Sequence, residues 1–247
     1  MSSLPAAAGI GLRREHFGSI LESTQAPAWL EIVPENHLST GGRAARVLHA
    51  CAERWPMMAH GVAMDLGGPR PLDRQHLRLL KQLLDDLRIP ALSEHLCFSA
   101  GLNAHFHDLL PLPFTSEAVA HVAARISQVQ DALQRPLWLE NVSTYAIMPG
   151  AEMSEGEFVS AVLDEADCGL LLDINNVYVN ARNHGLDAQA LLLSMPLHRT
   201  RQMHLAGHRD DGHMVVDDHA GPVRNEVWEL FATALQHTGP VPVLVEC

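Results

Sequence analysis

Lysine is nearly missing from this chain: of 247 residues, Lys81 is the only one. It sits in "LRLLKQLLDDLR", whose apolar spacing predicts a helix with Lys81 turned to solvent, so Schiff-base chemistry has one poorly placed candidate. Positive charge is scarce overall. Seventeen Lys and Arg stand against 29 Asp and Glu, a formal net charge of −12. That balance counts against nucleic acid as a partner, because backbone binding depends on basic residues displacing counterions. No stretch approaches eighteen uninterrupted apolar residues, so no membrane span is predicted. The start, "MSSLPAAAGIGLRREHFG", lacks the basic-then-apolar order of a secretory signal, and a cytoplasmic protein is expected. Cysteine is sparse too. Cys51, Cys97, Cys168 and Cys247 show no C-x-x-C spacing, which argues against a zinc ribbon or a disulfide framework and predicts reduced thiols, mostly in the core.

Histidine, by contrast, is abundant: 16 residues, almost matching Lys plus Arg. Four of them share "HLAGHRDDGHMVVDDHAGPV" (204–223) with four aspartates. The middle, "RDDGH", reads as a solvated turn, so His213 is expected to be loop. The flanks read as scaffold: "MHLA" ends a buried strand and "VVDDHAGPV" is an apolar run meeting a polar pair. His204, Asp217 and His219 then emerge into a shared space, with Asp217 and His219 on one side of an extended segment. Imidazoles with carboxylates suit iron, manganese or zinc.

Short apolar runs at 8–12, 28–33, 56–62, 90–98, 136–141, 168–179, 201–206 and 241–246 predict eight strands. Helical periodicity fills the gaps, most clearly at 72–87 and 116–133, and Ser154 with Glu157 has capping-box spacing. Eight β-then-α units without a linker or repeat predict a single domain over 1–247, a (β/α)8 TIM barrel.

Such a barrel places its functional groups at the C-terminal strand ends. Those positions hold Glu35 and Asn36, His60, His95, Glu140 with Asn141, Asp173 with Asn175 and Asn176, His204, and Glu246. Buried carboxylates need compensating positive charge, and Arg and Lys are missing there, which leaves metal ions as the economical source. His60, His95, Glu140, Asp173, His204, Asp217, His219 and Glu246 make eight candidate ligands, and Asn176 offers an amide oxygen. A catalytic metal takes about three protein ligands, so the set predicts two or three ions bridged by carboxylates. At this point the chemistry stays open. A zinc or manganese isomerase or hydrolase, or a catalytically silent module that holds metal or peptide, would use the same residue types.

"MAHGVAMDLGG", "SEHLCFS", "HFHDLLPLPFTSEAV", "RPLWLENVSTY", "LLLDINNVYVNARNHG", "QMHLAGH", "VDDHAGPV" and "VLVEC", in this order, resemble the DUF692 family, the multinuclear non-haem iron-dependent oxidative enzymes. The resemblance runs from about Gly9 to the end. It implies a TIM barrel carrying two or three irons, mixed Fe(II)/Fe(III), with dioxygen as co-substrate. It also implies modification of a ribosomally made precursor peptide, most often at cysteine, with a small peptide-recognition partner protein. By the same resemblance His60, His95, Glu140, Asp173, His204, Asp217, His219 and Glu246 fall on iron-ligand positions, of which His60, His95, Glu140, Asp173, His204 and Glu246 form the catalytic set. Asn176 becomes a further ligand, Asp65 and His208 hydrogen-bond to ligands, and the Glu35–Asn36 pair orients His60 or its neighbours. One departure stands out. Family members continue past the last-strand Glu into a further helix, so the eighth strand is expected to lack its covering helix here.

Overall fold

The computed structural model describes residues 4–23, 27–39 and 41–246. Cys247 therefore lies outside the described residues. Among the described residues there are twelve strands: β1 (Ala8–Gly11), β2 (Leu30–Ile32), β3 (Met57–Gly61), β4 (Leu92–His95), β5 (Phe98–Ala100), β6 (His105–Leu110), β7 (Leu137–Glu140), β8 (Gly169–Asp173), β9 (Thr200–Ala206), β10 (His208–Asp210), β11 (Val215–Asp217) and β12 (Val243–Glu246). Eight of them close a parallel barrel in the order β1-β2-β3-β4-β7-β8-β9-β12. The remaining four form two antiparallel hairpins, β5-β6 and β10-β11.

Among the described residues seven α-helices pack outside: α1 (Gly42–Arg54), α2 (Arg74–Asp86), α3 (Ser116–Leu133), α4 (Glu155–Ala166), α5 (Ile174–His184), α6 (Ala188–Ser194) and α7 (Asn225–Thr238). The regular eight-unit pattern expected from periodicity is loosened at its ends. A five-residue 3-10 turn, Arg14–Gly18, stands between β1 and β2 where a helix was expected, and no helix follows β12 among the described residues. The hairpins occupy the segments leading into α3 and α7.

Local chemistry explains the element ends. Asp73 caps α2 by accepting from the amides of Gln75 and His76, and Ser154 with Glu157 forms the expected reciprocal capping box on α4. One sequence expectation fails. The run 168–179 is not a single strand but β8 followed directly by α5, because Asp173 accepts from the Asn176 amide and starts a helix there. The cap outweighs the β-branched and aromatic residues of "INNVYV".

The core lies between barrel and helices, where Leu80, Leu84, Val122, Ile126, Val162, Leu172 and Met203 are fully buried. Each such side chain contributes about 1.5–3 kcal/mol of transfer free energy, which fixes the strands against the helices and so fixes the strand ends. Cys51, Cys97 and Cys168 are buried and unbridged, as expected.

Candidate metal centre

His95, Glu140, Asp173 and Glu246 each close their strand, while His60 is the next-to-last residue of β3 and His204 the third from the end of β9. Strand register sets them side by side: His95 pairs with Glu140, and Asp173 with His204. The Glu140 carboxylate is the hub. Its Oε2 is 3.1 Å from His60 Nε2 and 3.1 Å from His95 Nε2, and its Oε1 is 3.2 Å from His204 Nδ1. His204 Nδ1 is also 3.5 Å from Glu246 Oε2. Two ligand groupings result, His60–His95–Glu140 and Glu140–Asp173–His204–Glu246, each with its ligand atoms within 4.8 Å of one another. Glu140 belongs to both.

The outer ring nitrogens show which way the first two imidazoles point. Ser93 Oγ donates to the Ala59 carbonyl at 3.3 Å and sits 2.9 Å from His60 Nδ1, so it accepts the His60 proton. His95 Nδ1 donates to the Gly61 carbonyl at 3.2 Å. Both Nε2 lone pairs therefore face Glu140 Oε2, and the two nitrogens are only 3.3 Å apart. Three electron-rich atoms aimed at one point need a cation between them. Ring orientation by an outer hydrogen bond is how proteins prepare histidine for metal.

Protons supply that cation when no metal is bound. Burial pushes the His60 pKa down, yet the Glu140 and Glu31 carboxylates overcome it and carry His60 up to about 9. His204 is likewise held well above the ordinary range: burial opposes, and Glu31, Glu246 and Glu140 prevail. Glu140 sits well below its ordinary value, since His60, His95 and His204 outweigh its burial. Asp173 goes the other way, raised by burial and then by Glu140, Asp217 and Glu246. Of the buried side-chain atoms that make no hydrogen bond among the described residues, four lie here: Glu140 Oε2 and His204 Nδ1, whose neighbours are the ion-pair contacts above, and Asp173 Oδ2 and Asn176 Oδ1. Buried polar atoms are rarely left so, and four in one mouth fit a metal centre.

Asp173 has two jobs that substitution separates. Oδ1 caps α5 at 2.6 Å from the Asn176 amide, and Oδ2 faces the centre. Asp173→Asn is expected to keep the cap and the fold but lower metal content, whereas Asp173→Ala loses about 1 kcal/mol of cap stability as well. Urea unfolding alongside metal analysis checks this; equal stability and equal metal in both variants would contradict it.

In the histidine-rich stretch 204–223 the structure makes one geometric correction. His219 is not in extended backbone; its φ of 53° lies in the left-handed region. The turn nevertheless brings His219 Nε2 to 3.2 Å from Asp217 Oδ1 and 3.6 Å from Glu246 Oε2. Its pKa rises to about 9, first through the Asp217 hydrogen bond, against burial, with help from Glu246. These two residues adjoin the second grouping through Glu246 rather than belonging to it. His213 is exposed beside Gly212, its amide held by Asp211.

Other expectations meet mixed outcomes. His208 reaches Asp217 through Asn175: Nδ1 is 2.8 Å from Asn175 Oδ1, and Asn175 Nδ2 donates to Asp217 at 2.9 Å. Asp65 supports no ligand directly; its carboxylate accepts from the Ser99 and Ala100 amides and anchors the β5-β6 hairpin. Glu35 does not touch the His60 ring either. It accepts from the Val62 amide at 3.3 Å, beside Gly61, where an added Cβ would meet Glu94 Oε2 at 2.7 Å. The Asn36 carbonyl accepts from Arg14. Residues that motif reading passed over are Glu31, Gln202, Ser93 and Glu94. Glu31, buried in β2, lies 3.3 Å from His204 Nε2 and accepts from Gln202 at 2.6 Å. A glutamate inside the apolar run "AWLEIV" was the available signal.

A family model described as "RiPP precursor modification enzyme MbnB/TglH/ChrH" matches residues 7–247. The chain belongs to this family. That agrees with the DUF692 resemblance, and curated relatives carry the name UPF0276. One, from Shewanella loihica, is 47% identical over 243 residues, covering 98% of this chain and 87% of its own. Among solved structures, D-allulose 3-epimerase from Methylomonas sp. aligns with a TM-score of 0.60 at 17% identity, covering 99% of this chain and 85% of that one. D-psicose 3-epimerase from Clostridium cellulolyticum aligns with a TM-score of 0.62 at 13% identity, covering 97% and 84%. At such identities the likeness is one of fold, a TIM barrel.

Proposed function

We propose that the protein is an iron- and dioxygen-dependent enzyme that modifies a ribosomally made precursor peptide, at cysteine, working in the cytoplasm as one domain with a small peptide-recognition partner. The observation that carries the reading is the convergence of His60, His95 and His204 on the Glu140 carboxylate, with buried unpaired ligand atoms beside it, in a chain of a precursor-modifying family.

His60, His95 and Glu140 would hold one ion, and Glu140, Asp173, His204 and Glu246 another, with Asn176, Asp217 and His219 completing the set. Iron bound there supplies a Lewis acid for a substrate thiolate and electrons for dioxygen. The protein's own groups do the rest. Ser93 and the Gly61 carbonyl fix two imidazoles, and Glu31 and Gln202 flank the third. A cavity of about 740 Å³, lined by Ile10, Arg14, Glu31, His60 and Glu246, opens onto the centre and is large enough for a peptide side chain and its neighbours.

The test is mass analysis of the precursor peptide encoded beside the gene, incubated with iron-loaded enzyme in air and in its absence. A mass change that needs both iron and dioxygen is expected; an unchanged peptide, or a change supported equally by zinc without oxygen, would overturn the reading. Ligand assignment within the 204–223 stretch has its own test. Asp217→Ala and His219→Ala are expected to lower metal content, and His213→Ala to leave it at the parent level. Equal metal in all three would confine the centre to the barrel strands.

A further inference from the structure

We propose that the groove between α2 and α3 docks an acidic segment of the peptide substrate, outside the metal centre; this rests on the substrate being a peptide. The groove has a volume of about 840 Å³. In a chain with a net charge of −12, its lining includes Arg70, Arg74, Arg78, Lys81 and Arg125 and neither Asp nor Glu. Five of seventeen basic residues thus meet in one place.

Arg74, Arg78 and Lys81 follow i, i+4, i+7 spacing and share one face of α2. Facing them, α3 presents Ala124, Gln128 and Ala132, again one helical face, whose short alanines leave the space open. Lys81 is paired with Asp85 at 3.0 Å, but among the described residues no ion pair joins Arg74 or Arg78 to a carboxylate. Both are exposed. Arg125 is 8% exposed and donates to the carbonyls of Arg70 and Asp65, so the loop after β3 is tied to α3 at the upper end of the groove. Leu72 and Leu77 add apolar lining. Cations over a partly apolar floor match a segment that mixes carboxylates with aliphatic side chains.

Arg70 lines both the groove and a neighbouring pocket of about 400 Å³ that also holds Val62, Ala63, Asp65 and Asp108; Val62 and Ala63 directly follow Gly61 and so lie close to His60 in the chain. A peptide held on the outer wall by its acidic part could pass Arg70 and present a later residue to the centre.

Metal-free full-length protein would be titrated with a fluorescein-labelled peptide of repeating Glu-Leu-Glu-Ala and with its lysine counterpart, read by fluorescence anisotropy. Binding of the acidic peptide alone, weakened by salt, is expected, and the double variant Arg74→Glu/Arg78→Glu is expected to bind about tenfold more weakly with an unchanged circular dichroism spectrum. No binding, equal binding by the variant, or binding of an oligonucleotide instead would overturn the proposal. With the genomic precursor, the double variant should raise KM and leave kcat unchanged; an unchanged KM would also overturn it. Absence of turnover by the parent, with the anisotropy difference intact, would support the groove and count against the catalytic reading.

Discussion

Glu140→Gln is expected to empty the centre of at least one metal ion and to lower peptide-modifying activity at least about a hundredfold, the upper range for disturbing even a supporting group of a metal site. Glutamine keeps the shape of the side chain and removes its charge. The residue is shared by both ligand groupings, so no neighbouring carboxylate replaces it without moving. In the metal-free protein the same change strands the protonated imidazoles of His60 and His204, which Glu140 helps to hold in that form. Breaking a buried ion pair by removing one partner costs about 3–5 kcal/mol, so the variant should also melt earlier than the parent while retaining its barrel circular dichroism. Full metal content and full activity in Glu140→Gln would mean that the hub is a structural ion cluster.

The metal-free protein is expected to lose stability as pH rises from about 6.5 to 9, while its affinity for metal climbs across the same window. His60 and His219 both have pKa values raised to about 9 from an ordinary 6.5. A raised folded pKa stabilises fully below the unfolded value and is lost as pH passes the folded one. For fully buried His60 the shift corresponds to about 3 kcal/mol; His219 is partly exposed and adds less. Metal needs those nitrogens unprotonated, so binding releases protons and strengthens as they titrate. Glu246, pulled down to about 2 by His204 and His219 against its burial, adds stability that is complete above its ordinary 4.5 and is lost as pH falls from there towards 2. Melting temperatures of metal-free and iron-loaded protein between pH 6 and 9 should therefore diverge. Parallel curves would contradict the account.

How much of this was legible in the sequence depends on the length of the signal. Most barrel strands show as apolar runs because they are buried on both faces, β1 with exposed Ala8 and Ile10 being the exception, and the polar residues near their ends stand out against them. That contrast picks out His60, His95, Glu140, Asp173, His204 and Glu246, which the structure brings together at the barrel mouth. What failed was short-range competition. The chain turns from strand to helix at Asp173 because one carboxylate satisfies a helix amide, and periodicity over "LLLDINNVYV" cannot register a single cap. Spacing puts His219 on an extended segment, yet its left-handed φ of 53° turns it towards Asp217 by another route. Glu31 escaped because a single glutamate within an apolar strand looks like ordinary alternation until the barrel closes and brings it to His204, 173 residues away. The motif resemblance has Asp65 hydrogen-bond to ligands, whereas its hydrogen bonds hold a hairpin that the apolar runs do not reveal.

Elemental analysis of protein purified anaerobically with iron tests the central claim most directly. Nine candidate ligand side chains at about three per ion predict two to three irons per chain. Stoichiometric zinc that iron cannot displace, or no bound metal at all, would contradict it.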